Sequence, residues 1–149
     1  MLPNRIKIGV ASDHAGFNLK QQIIALLQGK GYEVVDFGPH CADSCDYPDY
    51  AHQLGRAVET GLVDKGVSTC GSGEGVSIVL NKYPHVRAAL AWRPEIAQLA
   101  RQHNDANVLT LPARFVTERE ALDMVDLFFN TPFEGGRHKK RVDKIPPTL

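Results

Sequence analysis

Cysteine, methionine and tryptophan are scarce in this chain of 149 residues, which holds three, two and one of them, and aromatic residues make up only 7%. Three cysteines, Cys41, Cys45 and Cys70, are an odd number, and only the first two lie close together, so a disulfide framework is excluded. Cys41 and Cys45 have His40 and His52 nearby, yet neither their four-residue step nor the single cluster matches a common zinc spacing. They read as loop thiols, and no metal is expected. Charge of one sign is also missing. The 17 Lys and Arg residues equal the 17 Asp and Glu residues, so no global field draws the protein to nucleic acid or to an anionic membrane. No apolar run approaches the roughly 20 residues of a membrane span. The opening MLPNRIKIGV is a charged, strand-like segment rather than a secretion signal. The expectation is a cytoplasmic enzyme.

What is present is an alternation of two periods. Ile6 to Ala11 is a short run of apolar and β-branched residues, and Phe17 to Leu27 has apolar residues at helical spacing. The same pair returns as Tyr32 to Phe37 with Tyr50 to Val58, Gly66 to Cys70 with Val76 to Leu80, Val86 to Ala91 with Glu95 to Arg101, and Val108 to Leu111 with Glu118 to Phe129. Strands alternating with helices predict an α/β fold, a five-stranded parallel sheet with helices on both faces. Pro94 suits a first helical turn, and Thr117 with Glu120 has the spacing of a capping box. Residues 131–149 depart from the pattern. They read as a C-terminal basic arm with a short helix, on a single domain spanning 1–149.

In open parallel sheets, ligands bind beyond the carboxyl ends of the strands, so chemistry is expected just after each strand. Strand one runs into Asp13-His14 and strand three into Cys70-Gly71-Ser72-Gly73-Glu74-Gly75, while His103-Asn104 ends the fourth helix and Arg114 follows strand five. The segment STCGSGEGVSIV has glycines at alternate positions between a strand and a helix. Consecutive N–H groups there can point into one hollow and hold an anion. It lacks the GK[ST] ending of a phosphate-binding P-loop and the glycine spacing of a dinucleotide site. Cys70 at the strand end faces the helix N-terminus, where a thiolate is favoured and can act as a base. Asp13-His14 and His103-Asn104 supply acids, bases and hydroxyl-binding groups if they meet at one edge of the sheet, as the alternation predicts. In EGGRHKKR, Arg137 and Arg141 are four residues apart, so both forks project from one helical face, beside His138, and suit a phosphate dianion.

Taken together, SDHAGFNLK, DYPDYA, CGSGEGVSI followed by NK, RQHNDANVL and EGGRHKKR resemble the type B ribose-5-phosphate isomerases, whose wider group includes allose-6-phosphate and galactose-6-phosphate isomerases. The resemblance covers nearly the whole chain. It implies a Rossmann-like three-layer sandwich and an aldose–ketose isomerase acting on a phosphorylated sugar, without cofactor or metal. It also implies a homodimer, or a tetramer as a dimer of dimers, with active sites built from both chains. By position, Cys70 is then the base at the carbon next to the carbonyl, and His103 the acid that opens the sugar ring. Asp13 and His14 bind substrate, the backbone of Gly71, Ser72, Gly73, Glu74 and Gly75 stabilises the enediolate, and Asn104 contacts hydroxyls. Arg114, Arg137 and Arg141 hold the phosphate, Tyr47 lines the pocket and His138 supports the arm. Some relatives replace the cysteine by a glutamate at the position of Val76; this chain has the cysteine version. Leu111-Pro112-Ala113-Arg114 stands where a glycine- or serine-rich turn is expected, so the reach of Arg114 does not follow from the motif.

Two other functions fit parts of the pattern. A non-catalytic sugar-phosphate sensor would keep the glycine-rich turn and the arginines, but has no need of Cys70 and His103 together. A thiol hydrolase or redox protein would use Cys70, but no resolving cysteine lies beside it.

Overall fold

The computed structural model describes residues 5–148. The element order is β1 (Lys7–Ser12), α1 (Phe17–Gly29), β2 (Glu33–Asp36), α2 (Tyr47–Glu59), β3 (Lys65–Cys70), α3 (Glu74–Leu80), β4 (Ala88–Leu90), α4 (Pro94–Asn104), β5 (Val108–Pro112), α5 (Glu118–Asn130) and α6 (Arg137–Val142). All strand pairs are parallel, in the order β2-β1-β3-β5-β4. The chain leaves β1 first toward β2, then crosses to β3 on the other side. The strand order therefore switches between β1 and β3, and the crevice outside their carboxyl ends is where such sheets take ligands.

Alternation along the strands divides the core into two layers. Ile8, Val10, Val67, Leu109 and Leu111 face α1, α4 and α5, where Ile23, Leu27, Met124 and Phe128 close one core. Ala11, Cys70 and Val108 face α2 and α3, packing with Leu54, Val58, Val76 and Leu80. Leu54 seats α2 low on the sheet, because a Cβ on Gly9 or Gly66 would come within 2.6 or 2.8 Å of its Cδ1. The expected α/β sandwich is the one observed, including the short helix in the arm.

The start of α2 differs from the one the spacing predicts. The spacing predicts α2 from Tyr50, whereas the helix starts at Tyr47, with Asp46 extended before it and Pro48 in its first turn. Proline lacks an N–H that the first turn does not use, so it opens the helix instead of delaying it. β4 is shorter than the expected Val86 to Ala91, as befits an edge strand paired on one side only. The two expected caps are present: Pro94 opens α4, and Thr117 exchanges hydrogen bonds with Glu120 at 3.1 and 2.9 Å.

One buried charge was not anticipated. Lys20, on the inward stripe of α1 with Ile23 and Leu27, is fully buried, and its ammonium donates to both carboxylate oxygens of Asp36 at 2.7 and 2.8 Å. Asp36 also accepts the Gly38 N–H at 2.9 Å, so the pair ties α1 to the loop leaving β2, beside the crevice. Removing one member leaves the other charge without compensation. Lys20→Ala is expected to lower unfolding free energy by about 3 kcal/mol in urea titration, and Lys20→Met by less, because its apolar chain fills the same volume.

Candidate active site

Cys70 ends β3 and is 4% exposed, with its sulfur accepting the Gly73 N–H at 3.1 Å. The turn that makes this contact needs φ of +76° at Gly73, a region open to glycine and costly for other residues. The N–H groups of Gly71, Ser72 and Gly75 donate to no protein acceptor among the described residues. They are thus free to hold an anion, the role the glycine spacing suggests. Glu74 opens α3 with an exposed side chain, while its N–H leans on Ser72 Oγ at 3.3 Å.

Register brings the next residues in. Because Ser12 pairs with Thr69, Asp13 lies directly beside the end of β3 and donates its N–H to the Thr69 carbonyl at 3.2 Å. One carboxylate oxygen of Asp13 accepts the Gly16 N–H at 2.9 Å, which fixes the side chain at the start of α1. His14 Nδ1 accepts the Cys45 N–H at 3.3 Å, so a neutral His14 carries its proton on Nε2. Tyr47 lies over Gly75, where a Cβ would come within 2.7 Å of its ring. Arg114 donates its backbone N–H to Gly71 O at 3.0 Å, and its guanidinium sits 3.2 Å from where a Gly71 Cβ would be. The Pro112-Ala113 turn thus delivers Arg114 to the hollow without the expected flexible residues, because Ala113 N–H is held on Cys70 O at 2.9 Å.

His103 and Asn104 do not join them. A helix that follows a parallel strand runs back toward the strand's start, so the end of α4 lies at the amino edge of the sheet. Arg87, just before β4, holds the Asp105 carbonyl there at 3.0 Å. His103, nine residues beyond Pro94 on α4, lies about 14 Å from the carboxyl edge at 1.5 Å per residue. The expectation that both pairs meet at one edge within a chain is therefore corrected: a helix has two ends, and these residues occupy the far one.

The arm gathers at this second edge. Buried Arg101 donates to Asp105 at 2.8 Å and to the Thr131 carbonyl at 3.2 Å, and Glu134 N–H donates to Gln102 O at 3.1 Å. His138 on α6 then stacks on His103, with ring centroids 4.2 Å apart and planes 11° from parallel. Glu134 reaches both rings, its Oε1 lying 3.7 Å from His103 Nε2 and 3.5 Å from His138 Nε2. Arg137 and Arg141 flank His138, exposed and unpaired with any carboxylate among the described residues, whereas Lys139 pairs with Asp143 at 3.0 Å. The two forks are thus left open to an anion. Glu134, Arg101 and Lys20 carry no role in the sequence reading; the four-residue step from Glu134 to His138 is the one local signal that points to any of them.

Burial, with His103 and Arg137 beside it, holds His138 below the ordinary histidine range, against the opposing pull of Glu134. The folded protein therefore binds fewer protons than the unfolded chain between the lowered value and about 6.5. Stability rises with pH across that window and falls as acid protonates the unfolded state. Urea titrations from pH 5 to 7 are expected to show this slope, and His138→Phe to flatten it.

The four residues first weighed for zinc are dispersed. His52 Nδ1 is bonded to the Tyr83 hydroxyl at 2.7 Å, Cys41 is exposed beside Asp43, and His40 faces Asp36 at 3.7 Å. No helix among the described residues is long and apolar enough to cross a membrane.

Comparison with known proteins agrees with the fold and the motifs. Residues 8–145 match the ribose/galactose isomerase family. Ribose-5-phosphate isomerase B of Escherichia coli (strain K12) is 45% identical over 139 residues, which covers 93% of each chain. The solved structure of Clostridium thermocellum ribose-5-phosphate isomerase B superposes with a TM-score of 0.93 at 48% identity, over 95% of both chains. That of the Mycoplasma genitalium enzyme with bound ribulose-5-phosphate gives 0.91 at 46%, over 94% of this chain and 93% of the other. A match across nearly the whole sequence, on the same parallel sheet, establishes that the chain belongs to the ribose/galactose isomerase family.

Proposed function

We propose that this protein is a ribose-5-phosphate isomerase, interconverting ribose 5-phosphate and ribulose 5-phosphate through an enediolate. It works as a single-domain cytoplasmic enzyme, with residues 131–149 as an arm, in a site completed by a second copy of the chain. The observation that carries the chemistry is Cys70 beside a hollow of unused N–H groups. Removing a proton next to a carbonyl throws charge onto oxygen, and donors already aimed at that oxygen stabilise the transition state without reorganising. No electron leaves the substrate, so the reaction itself calls for no redox cofactor.

His103 opens the furanose by giving a proton to the ring oxygen. The Cys70 thiolate then takes the proton from carbon two of the open aldose. Charge develops on the carbonyl oxygen, which Gly71, Ser72 and Gly75 hold. A proton passes from the carbon-two hydroxyl to that oxygen, and the thiol returns its own to carbon one, giving the ketose. Asp13, His14 and Asn104 orient hydroxyls, Tyr47 walls the pocket, and Arg114, Arg137 and Arg141 grip the phosphate.

The separation of these groups supports a homodimer, or a tetramer made of such dimers. Base and hollow lie at one edge of the sheet, acid and arginine arm at the other, and a rigid sheet cannot fold one onto the other. Two copies related by a two-fold axis can instead present the arm of each to the crevice of its partner, making two equivalent sites. Proton NMR of ribose 5-phosphate in heavy water with the EDTA-treated protein is expected to show ribulose 5-phosphate carrying deuterium at carbon one, and deuterium at carbon two of the remaining ribose 5-phosphate. Binding without conversion, extended to allose and galactose 6-phosphates, would replace the isomerase by the sensor.

A further inference from the structure

Both polar groups of Gly73 are committed. Its N–H donates to the Cys70 sulfur at 3.1 Å, and its carbonyl accepts the Ser77 hydroxyl at 2.7 Å. Ser77 Oγ also lies 2.6 Å from Oγ1 of Thr110, in β5. A carbonyl only accepts, so the one Ser77 hydroxyl proton goes to Gly73, and the second bond must carry the Thr110 proton. The hydroxyls thus form a chain with one direction, from Thr110 through Ser77 to Gly73. We propose that Ser77 and Thr110 are positioning residues for the isomerase: their chain holds the turn after Cys70 in the conformation that aims its N–H groups at the sulfur and at the substrate oxygen. The role rests on the reading of Cys70 as the base.

The hydroxyls are the tighter hold on the Gly73 carbonyl. α3 has only 7 residues and no side chain caps its start, and so short a helix is not stable by itself. Its first backbone bond, from Ser77 N–H to Gly73 O, is 3.3 Å long, beyond the usual range of about 2.7–3.2 Å. Thr110 anchors the hydroxyl chain, being fully buried in a strand paired on both sides. It shares a sheet face with Val108 of the apolar layer, where valine would fill the same space. A hydroxyl buried there needs a partner, and Ser77 supplies it. Ser68 makes the contrast: it pairs with Thr110 in register and shares the face of Cys70, yet its buried hydroxyl has no partner among the described residues and stands outside the chain.

Losing the chain releases the Gly73 carbonyl and with it the turn. Donors aimed at developing charge act in the transition state more than on binding, and the phosphate is gripped by the arginines instead. A released turn therefore lowers kcat and leaves KM nearly unchanged.

The test measures turnover of ribose 5-phosphate by full-length Thr110→Val, Ser77→Ala and Ser68→Ala, each checked for native circular dichroism, with amide exchange at Gly73 followed by NMR in the free proteins. Thr110→Val and Ser77→Ala are expected to speed exchange at Gly73 and to lower kcat by about tenfold to 10²-fold, the upper value being what a misplacement of about 1 Å costs. Thr110→Ser, which keeps the hydroxyl, is expected to restore kcat, and Ser68→Ala to leave it unchanged. The double variant should lose no more than Ser77→Ala alone, because Thr110 acts only through Ser77. An equal loss in Ser68→Ala, additive losses in the double variant, no rescue by Thr110→Ser, or a change in KM alone would overturn the positioning role. So would an intact kcat in both single variants where Cys70→Ala is inactive. An intact kcat together with an active Cys70→Ala would overturn the base itself, and the positioning role with it.

Discussion

Mixing two inactive variants, Cys70→Ala and His103→Gln, is expected to restore isomerase activity to about a quarter of the wild-type level, by random exchange of subunits in a two-fold dimer. Each protein alone is inactive because every site lacks either the base or the acid. In a mixed dimer, one crevice receives both substitutions, and the other receives Cys70 from one copy and His103 from its partner. Half of the dimers are mixed, and half of their sites are intact. The measurement is turnover of ribose 5-phosphate after co-refolding or prolonged mixing, with each variant alone as the baseline. No recovery despite proven subunit exchange would mean that base and acid work within one chain, against the separation that α4 imposes between the crevice and His103.

Cys70→Ala is expected to lower kcat by about 10³-fold, within the range of a lost general base, while ribose 5-phosphate binding measured by calorimetry changes little. The sulfur contributes when a carbon–hydrogen bond is breaking, not when the sugar settles into the site, so its removal acts on the transition state. The backbone donors of Gly71, Ser72 and Gly75 remain in that variant, as does Arg114. Deuterium should no longer enter carbon two from heavy water. Exchange persisting near the wild-type rate would move the base to another group. Glu74 would then be tested first, since it is the ionisable neighbour on the same turn. Cys70→Ser should fare little better than alanine, because a hydroxyl keeps the shape but holds its proton too tightly to serve as base near neutral pH.

Much of this protein is legible before any coordinates. The strands of an α/β sandwich are near-continuous apolar runs, and its helices carry a one-sided stripe, so Ile6 to Ala11 and Phe17 to Leu27 could be told apart by period alone. Thr117 and Glu120 marked their own helix start, and the glycines after Cys70 marked a turn whose N–H groups face one way. The same local reasoning stopped at the boundary of α2, which it set at Tyr50 although Pro48 opens the helix. It was silent on Lys20, because a lysine on the inward stripe of a helix is buried only if a carboxylate distant in sequence arrives to meet it. Asp36 does so from the end of β2.

The position of His103 rests on the fold more than on the sequence. Sequence assigns His103 to the end of a helix, and only the direction of that helix relative to the sheet decides which edge it reaches. His103, Glu134 and His138 come together because Arg101 pins the chain at Thr131 and Gln102 holds Glu134, contacts that no spacing rule contains. The sequence by itself determined the layers, the order of the elements and the glycine-rich turn after Cys70, since these depend on neighbours along the chain. The tertiary structure alone decided that Arg114 reaches the hollow and that His103 and the arginine arm stand at the far edge, because those are relations between segments distant in sequence, fixed by strand register and the antiparallel return of each helix.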